Sequence, residues 1–297
     1  MIPGVFSGCL MLSTRKDSKP LKHGKMDLNW SDDMFTPKAH KIDDTTYRIT
    51  EYDRGHAINM YLLTGGEHAL LIDTGLNLTN VPKAIRRITD LPLWVCNTHG
   101  HSEQILGNHW YPEVFFPEED EDVFRKYMQE NPSERNSPSG RFGNLIGAVY
   151  NPLQDLIRYN RPSEHEELPE DGFFDLGGRI VGILKTPGHT HGSVSYLDEA
   201  SGRLFCGDLV GEKEILVDFE ESSPLDVYET TVSLLLGLVE DGKISQLYSS
   251  HGNSPLSADI LRTAQEVSSM VLKGDYKDSM KITYQGIEFR FRLTGND

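Results

Sequence analysis

Cysteine is scarce in this chain: three residues in 297, at positions 9, 96 and 206, with no Cys-x-x-Cys spacing. That excludes the closed, thiolate-rich set typical of a structural zinc site. Cys96 and Cys206 fall in apolar runs and read as small core residues. Long hydrophobic runs are also missing, since no stretch reaches the roughly 18 apolar residues that a membrane span requires. Positive charge is absent from the N-terminus. The stretch from Met1 to Leu12 is mildly apolar, but the first basic residue is Arg15, so it lacks the charged start of a signal peptide and a cytoplasmic location is expected. Basic residues are outnumbered 29 to 45, giving a net charge of −16. A phosphate backbone would be repelled on average, so nucleic acid is not an expected partner and neither is a membrane. No serine, cysteine or lysine is marked by its setting as a nucleophile.

Histidine in a repeated context is what the chain does have. Leu93-Trp94-Val95-Cys96 reads as a buried strand, and it leads into Thr98-His99-Gly100-His101-Ser102-Glu103-Gln104. Two histidines one residue apart at a strand end can grip one ion, with Gly100 expected to let the chain turn. The same arrangement recurs. Arg179–Thr186 runs into Pro187-Gly188-His189-Thr190-His191-Gly192-Ser193, Arg203–Cys206 into Gly207-Asp208, and Gln246–Ser250 into His251-Gly252. Strands that each end in a turn carrying one His or Asp bring distant segments to one rim, where loops are free to bind. His99, His101 and His189 offer three nitrogens and Asp208 a carboxylate, which suits a catalytic ion with an open position.

These segments, in this order, resemble the metallo-β-lactamase fold superfamily of metal-dependent hydrolases. Its series is a strand ending Asp-Thr-Gly, then Thr-His-x-His-x-Asp-His-x-x-Gly, Thr-Pro-Gly-His-Thr-x-Gly-Ser, Gly-Asp and a late His-Gly. Here Leu70–Gly75, Thr98–Gly107, Thr186–Ser193, Gly207-Asp208 and His251-Gly252 correspond. The match spans roughly residues 45 to 275, and its spacing, with Glu113–Pro117, is nearer the hydroxyacylglutathione-hydrolase-like and acyl-thioesterase-like branch than the antibiotic-destroying enzymes. The resemblance implies an α/β fold, a four-layer αββα sandwich. It also implies metal ligands at His99, His101, His189, Asp208, His251 and Glu103, with Asp208 and Glu103 as the catalytic groups. Asp73 would lie beneath the histidine loop and orient it without touching metal. The implied activity is hydrolysis of an ester, lactone or thioester carbonyl in a small-molecule substrate, using one or two zinc ions, with iron or manganese as alternatives. The acidic balance weakens the nuclease branch.

One departure bears on the second ion. Where the superfamily has Asp-His, this chain has Glu103-Gln104. Glutamate keeps the carboxylate on a longer stem, whereas glutamine offers only a neutral amide oxygen in place of imidazole. His191 and His109 are candidates to supply the missing nitrogen, and His56 is a candidate pocket residue. A mononuclear site used for iron-dependent sulfur oxidation, decarboxylation or isomerisation is the rival enzymatic reading, and a non-catalytic metabolite-binding relative is the third.

Punctuation divides the chain into an N-terminal extension over 1–40, a catalytic domain over 41–278 and a C-terminal hairpin over 279–297. A variable insertion over about 118–165 is positioned to cap the metal cleft or to pack on the sandwich. Helical spacing is expected over Val81–Ile88, Asp226–Val239 and Leu256–Val271, and a hairpin over Ile58–Asp73. Homodimerisation, through the extension or the terminal hairpin, is the assembly to consider.

Overall fold

A computed structural model describes residues 36–53, 55–129, 165–274 and 280–292. Residues 1–35 of the N-terminal extension and the segment Leu145–Tyr159 lie outside the described residues, and the last two residues of the expected extension, Ala39 and His40, already belong to the first strand. Seven strands form the first sheet in sequential order: β1 (Ala39–Asp43), β2 (Thr46–Asp53), β3 (His56–Thr64), β4 (Ala69–Ile72), β5 (Leu93–Cys96), β6 (Val114–Phe116) and β7 (His165–Glu167). The first four pair antiparallel and the last three are added in parallel. A second sheet has the order β13-β11-β10-β9-β8, from β8 (Phe173–Asp175), β9 (Ile180–Lys185), β10 (Val194–Asp198), β11 (Arg203–Gly207) and β13 (Gln246–Ser249).

Side-chain alternation builds the layers. On β4, Leu70 and Ile72 point into the space between the sheets, whereas Ala69 and Leu71 pack on the other face with Val81 and Ile85 of helix α1 (Val81–Arg86). On β11, Phe205 faces the first sheet, and Leu204 and Cys206 face away from it, towards helices α4 (Leu225–Glu240) and α5 (Asp259–Lys273). Tyr248 and Leu247 of β13 divide the same way. A period of two therefore gives each central strand two buried faces, and the order helix, sheet, sheet, helix follows.

A third, small sheet completes one flank. Strand β12 (Glu214–Val217) pairs in parallel with β15 (Ile287–Phe291), which pairs antiparallel with β14 (Met280–Tyr284). The hairpin of β14 and β15 turns through Gln285-Gly286, and Phe289 and Phe291 are fully buried in the core shared with α4 and α5.

Candidate metal centre

The turns that carry His or Asp gather at the C-terminal ends of β5, β9, β11 and β13. His99, His101 and His189 bring ligand nitrogens within 4.8 Å of one another, and ligand atoms of Glu103, Asp208 and His251 meet the same limit in a second group. Asp208 joins them: its Oδ2 is 3.1 Å from His251 Nε2, 3.6 Å from His189 Nε2 and 3.9 Å from His99 Nε2. Six side chains from four turns thus form two adjoining trios around one carboxylate.

Each imidazole is aimed by a partner on its far nitrogen. His99 Nδ1 lies 3.0 Å from Thr98 Oγ1, which in turn donates to Asp73 Oδ2 at 2.9 Å. His189 Nδ1 reaches the Leu216 carbonyl at 2.8 Å, and His251 Nδ1 the Ala57 carbonyl at 3.1 Å. His101 Nε2 bonds Glu221 Oε1 at 3.0 Å, leaving its Nδ1 facing His189 Nε2 at 2.9 Å. Such partners fix the tautomer and the ring plane of a ligand before it meets an ion.

The donor set fits a divalent transition metal. His99 Nε2 and Asp208 Oδ1 are buried with no hydrogen-bond partner, an arrangement that a folded protein tolerates where an ion or water completes the group. Burial holds His99 well below the usual imidazole range and His189 at about 4, the charge on His101 adding to both. Both rings are therefore neutral near pH 7, with a lone pair free to donate. Burial works against ionisation of Asp208, but His251, His189 and His99 hold its carboxyl far below the ordinary range. His251 is lowered by burial and raised more strongly by Asp208, to about 10.

Comparison with known proteins gives the family. A family model described as the metallo-beta-lactamase superfamily matches residues 53–243. The chain belongs to the metallo-beta-lactamase superfamily. The human acyl-coenzyme A thioesterase MBLAC2 is 25% identical over 259 residues, covering 78% of this chain and 87% of that protein. The probable metallo-hydrolase MJ0888 of Methanocaldococcus jannaschii is 28% identical over 203 residues, covering 67% and 89%. Among solved structures, a metallo-beta-lactamase from Pontibacter korlensis aligns with a TM-score of 0.56 at 17% identity, over 79% of this chain and 99% of that one. The DIM-1 metallo-beta-lactamase aligns with a TM-score of 0.55 at 15% identity, over 80% and 98%. Those structural matches establish the αββα sandwich. Family membership and the hydrolase relatives make the chain a metal-dependent hydrolase.

Against the superfamily series, the structure sorts the remaining sequence candidates. Asp73, held at φ 62°, accepts from the Thr98 backbone N–H at 2.8 Å and from Ser250 Oγ at 3.3 Å, beneath the ligand turns. Burial raises its carboxyl to about 7. Glu103 and Gln104 lie on the single-turn helix α2 (Ser102–Ile105). Gln104 is fully buried, and neither amide atom has a partner. His191 turns to Asp122 Oδ1 at 3.1 Å and to the Glu221 carbonyl at 3.1 Å. His109 bonds the Leu106 carbonyl at 2.9 Å, and His56 is exposed at the start of β3. Neither trio contains any of these three histidines.

Two residues that support the site escaped the sequence reading. Glu221 is buried, and besides His101 it accepts from Tyr127 Oη at 2.7 Å and Lys126 Nζ at 3.0 Å. Burial would raise its carboxyl, but these three donors hold it well below the ordinary range. Asp120 precedes helix α3 (Glu121–Gln129) and is completely buried. Its carboxylate accepts from Gly100 N at 2.7 Å, Gly192 N at 2.9 Å and Thr190 Oγ1 at 2.9 Å, tying both histidine turns to one point. Space explains both glycines: a Cβ at Gly100 would lie 2.7 Å from Phe124 N, and one at Gly192 2.4 Å from Asp120 N. Gly100 thus serves the close approach of α3 at the bend between the two histidines. Asp120 sits in the acidic run Glu118–Asp122, which reads as a solvated helix start, so its only signal was its place just before a helix.

Proposed function

We propose that this chain hydrolyses a carboxylic thioester of acyl-coenzyme A type, chemistry that extends to an ester or lactone carbonyl. The observation that carries the reading is the pair of trios sharing Asp208, supported by the thioesterase relative. His99, His101, His189 and Asp208 would hold one divalent ion, and Glu103, His251 and Asp208 a second. Such an ion supplies Lewis acidity, bringing the pKa of water towards neutrality and polarising a carbonyl. Asp208 orients the attacking water through Oδ1, the oxygen with no protein partner. Glu103 is the second carboxylate at the centre and takes the water proton where it is not itself engaged as a ligand. The C–O bond forms as the C–S bond breaks, and the thiolate leaves to be protonated by solvent. Tyr127 and Phe219, with ring centroids 4.9 and 5.1 Å from His101, form an aromatic wall beside the site.

Zinc is the proposed ion, with iron or manganese as alternatives; the substrate is a small molecule and the setting cytoplasmic. The insertion over about 118–165 is proposed as the cap, because Lys126 and Tyr127 of its described part reach Glu221. Assembly as a homodimer is the state to test by light scattering. Thiol release from acyl-coenzyme A by the purified chain, followed with a thiol reagent, tests the activity. Release should stop with chelator, return with zinc and be absent from His99→Ala. A metal-loaded chain that releases no thiol would refute the thioesterase reading. The Glu103-Gln104 departure favours one rival, a mononuclear enzyme of another reaction type, whose mark would be oxygen consumption or a non-hydrolytic product.

A further inference from the structure

Six strands lie at the edges of the three sheets, and five of them are closed to further pairing. β1 is broken by a register shift between Lys41 and Asp43. β7 and β8 are three residues each, and β7 is His165-Glu166-Glu167. β13 is bridged by Leu256, which exchanges both backbone bonds with Leu247, and β12 is met by His189, whose Nδ1 holds the Leu216 carbonyl. Interruption, shortness, charge and cover are the usual devices that keep a sheet from growing. β14 has none of them. It is five residues long, keeps unbroken register with β15, and contains no proline and no charge on its inner face. Among the described residues nothing pairs with its far side.

The turn fixes which groups are free. Gln285 and Gly286 both have positive φ, 49° and 83°, the two-residue loop that suits a twisted hairpin and makes Tyr284 and Ile287 a hydrogen-bonded pair. Alternation then directs the backbone of Met280, Ile282 and Tyr284 to β15, and that of Lys281 and Thr283 to the open side. Side chains alternate as well. Met280, Ile282 and Tyr284 share the core face with the buried Phe289 and Phe291, yet are themselves only partly covered. Tyr284 Oη bonds Glu266 of α5 at 3.2 Å, and one helical turn further along, Met270 is 44% exposed. Lys281 is on the outer face, tied to Glu288 of its own hairpin at 2.7 Å, so its charge does not guard the edge.

We propose that the β14 edge is the surface on which a second copy of this chain docks, the two β14 strands pairing antiparallel about a twofold axis at Ile282. The residues select that register. Lys281 of each copy lies opposite Thr283 of the other, which joins the outward backbone groups in four hydrogen bonds. Met280 meets Tyr284 and Ile282 meets Ile282 on the core face, so apolar side chains oppose apolar side chains. Glu288 stands one strand beyond Thr283, which gives each lysine a carboxylate on both sides of the junction. Centring on Lys281 would set like charges directly opposite, and centring on Thr283 would run Lys281 past the strand into the turn. A slip of one residue would oppose inner face to outer. The product is one continuous sheet across both copies, closed by its symmetry, with the open edge removed. This places the homodimer considered above and does not depend on the hydrolase reading.

The test uses the full chain, with mass read by light scattering over about 1–100 μM. Wild type should reach twice the chain mass. Thr283→Pro removes an N–H that faces the open side and costs no bond to β15, so the fold should persist by circular dichroism while the dimer weakens about 10- to 100-fold. Ile282→Cys stands on the axis, where facing Cα atoms of a non-hydrogen-bonded pair lie at disulfide distance. It should link two copies under mild oxidation, faster than Lys281→Cys, which faces Thr283. A dimer untouched by Thr283→Pro, or Ile282→Cys linking no faster than Lys281→Cys, would put the interface elsewhere and overturn the proposal. So would a chain that stays monomeric at about 100 μM, or an Ile282→Cys chain that closes on its own Cys9 and so seats the N-terminal segment on the edge. A monomer that still releases thiol would overturn the dimer alone, and a dimer linked at position 282 that releases none would overturn the hydrolase reading alone.

Discussion

Glu221 touches His101 and is anchored by Tyr127 and Lys126, so it sets the plane of one ligand ring and links it to α3. Glu221→Ala should weaken zinc retention by about 10- to 100-fold in chelator competition, the range typical of removing a ligand's outer partner; unchanged affinity would mean that packing alone orients the ring. Asp120→Ala should act differently, because it strands two buried backbone N–H groups as well as Thr190. A loss of about 1–3 kcal/mol in urea unfolding of the metal-free chain is expected. The gathering of His99, His101, His189, Asp208 and His251 was legible in the sequence, since each lies in a turn after an apolar strand with glycine beside it. Glu221 and Asp120 were not. Glu221 is 120 residues from the ring it holds, in a loop with no motif, and Asp120 is hidden among neighbours of the same charge. A residue that acts on another residue leaves no local pattern, because its requirement is set by the fold and not by its neighbours in the chain.

Long elements with a clear period were read to within a few residues. The two C-terminal helices were expected at Asp226–Val239 and Leu256–Val271 and lie at Leu225–Glu240 and Asp259–Lys273. Short strands such as β6, β7 and β8, three residues each, carry too few alternations to register. β12 escaped for a different reason. Its partner β15 is some seventy residues further on, so the strand is defined by pairing and not by its own pattern. That pairing gives the terminal hairpin a role in the core. Phe289→Ala, removing a fully buried ring from the core that α4 and α5 share with the hairpin, should cost about 3–5 kcal/mol in urea unfolding. A loss under about 1 kcal/mol would mark the hairpin as an appendage.

At the scale of the whole molecule, charge is the governing quantity. A net charge of −16 repels an anionic substrate beyond the reach of the metal centre. If the substrate is an acyl-coenzyme A, kcat/KM should rise between about 0.01 and 0.15 M salt as the repulsion is screened, chiefly through KM. A fall with salt would point to a local cationic entrance instead. An open cleft of about 360 Å3 at the far end of the strands contains Arg179 and Arg203, but both are engaged, Arg179 with Asp198 at 2.8 Å and Arg203 with Asp43. Burial raises the Asp43 carboxyl, and the Arg203 guanidinium more than reverses this, leaving it at about 2 against an ordinary 3.8. A lowered acid pKa stabilises the fold above the unfolded value and loses that contribution as pH falls towards the folded one. Wild type should therefore lose more stability than Asp43→Asn between about pH 4 and pH 2 in urea unfolding, and parallel curves would rule the pair out. The parallel pairing of β12 with β15 also joins the site to the far end of the chain. A chain that ends soon after His251 carries all six candidate metal-binding side chains, yet it lacks the strand that steadies Leu216, and with it the loop leading to Glu221. The geometry of the candidate centre is thereby tied to residues 287–291: a chain truncated before them would keep all six side chains and lack the strand that supports the carbonyl holding His189.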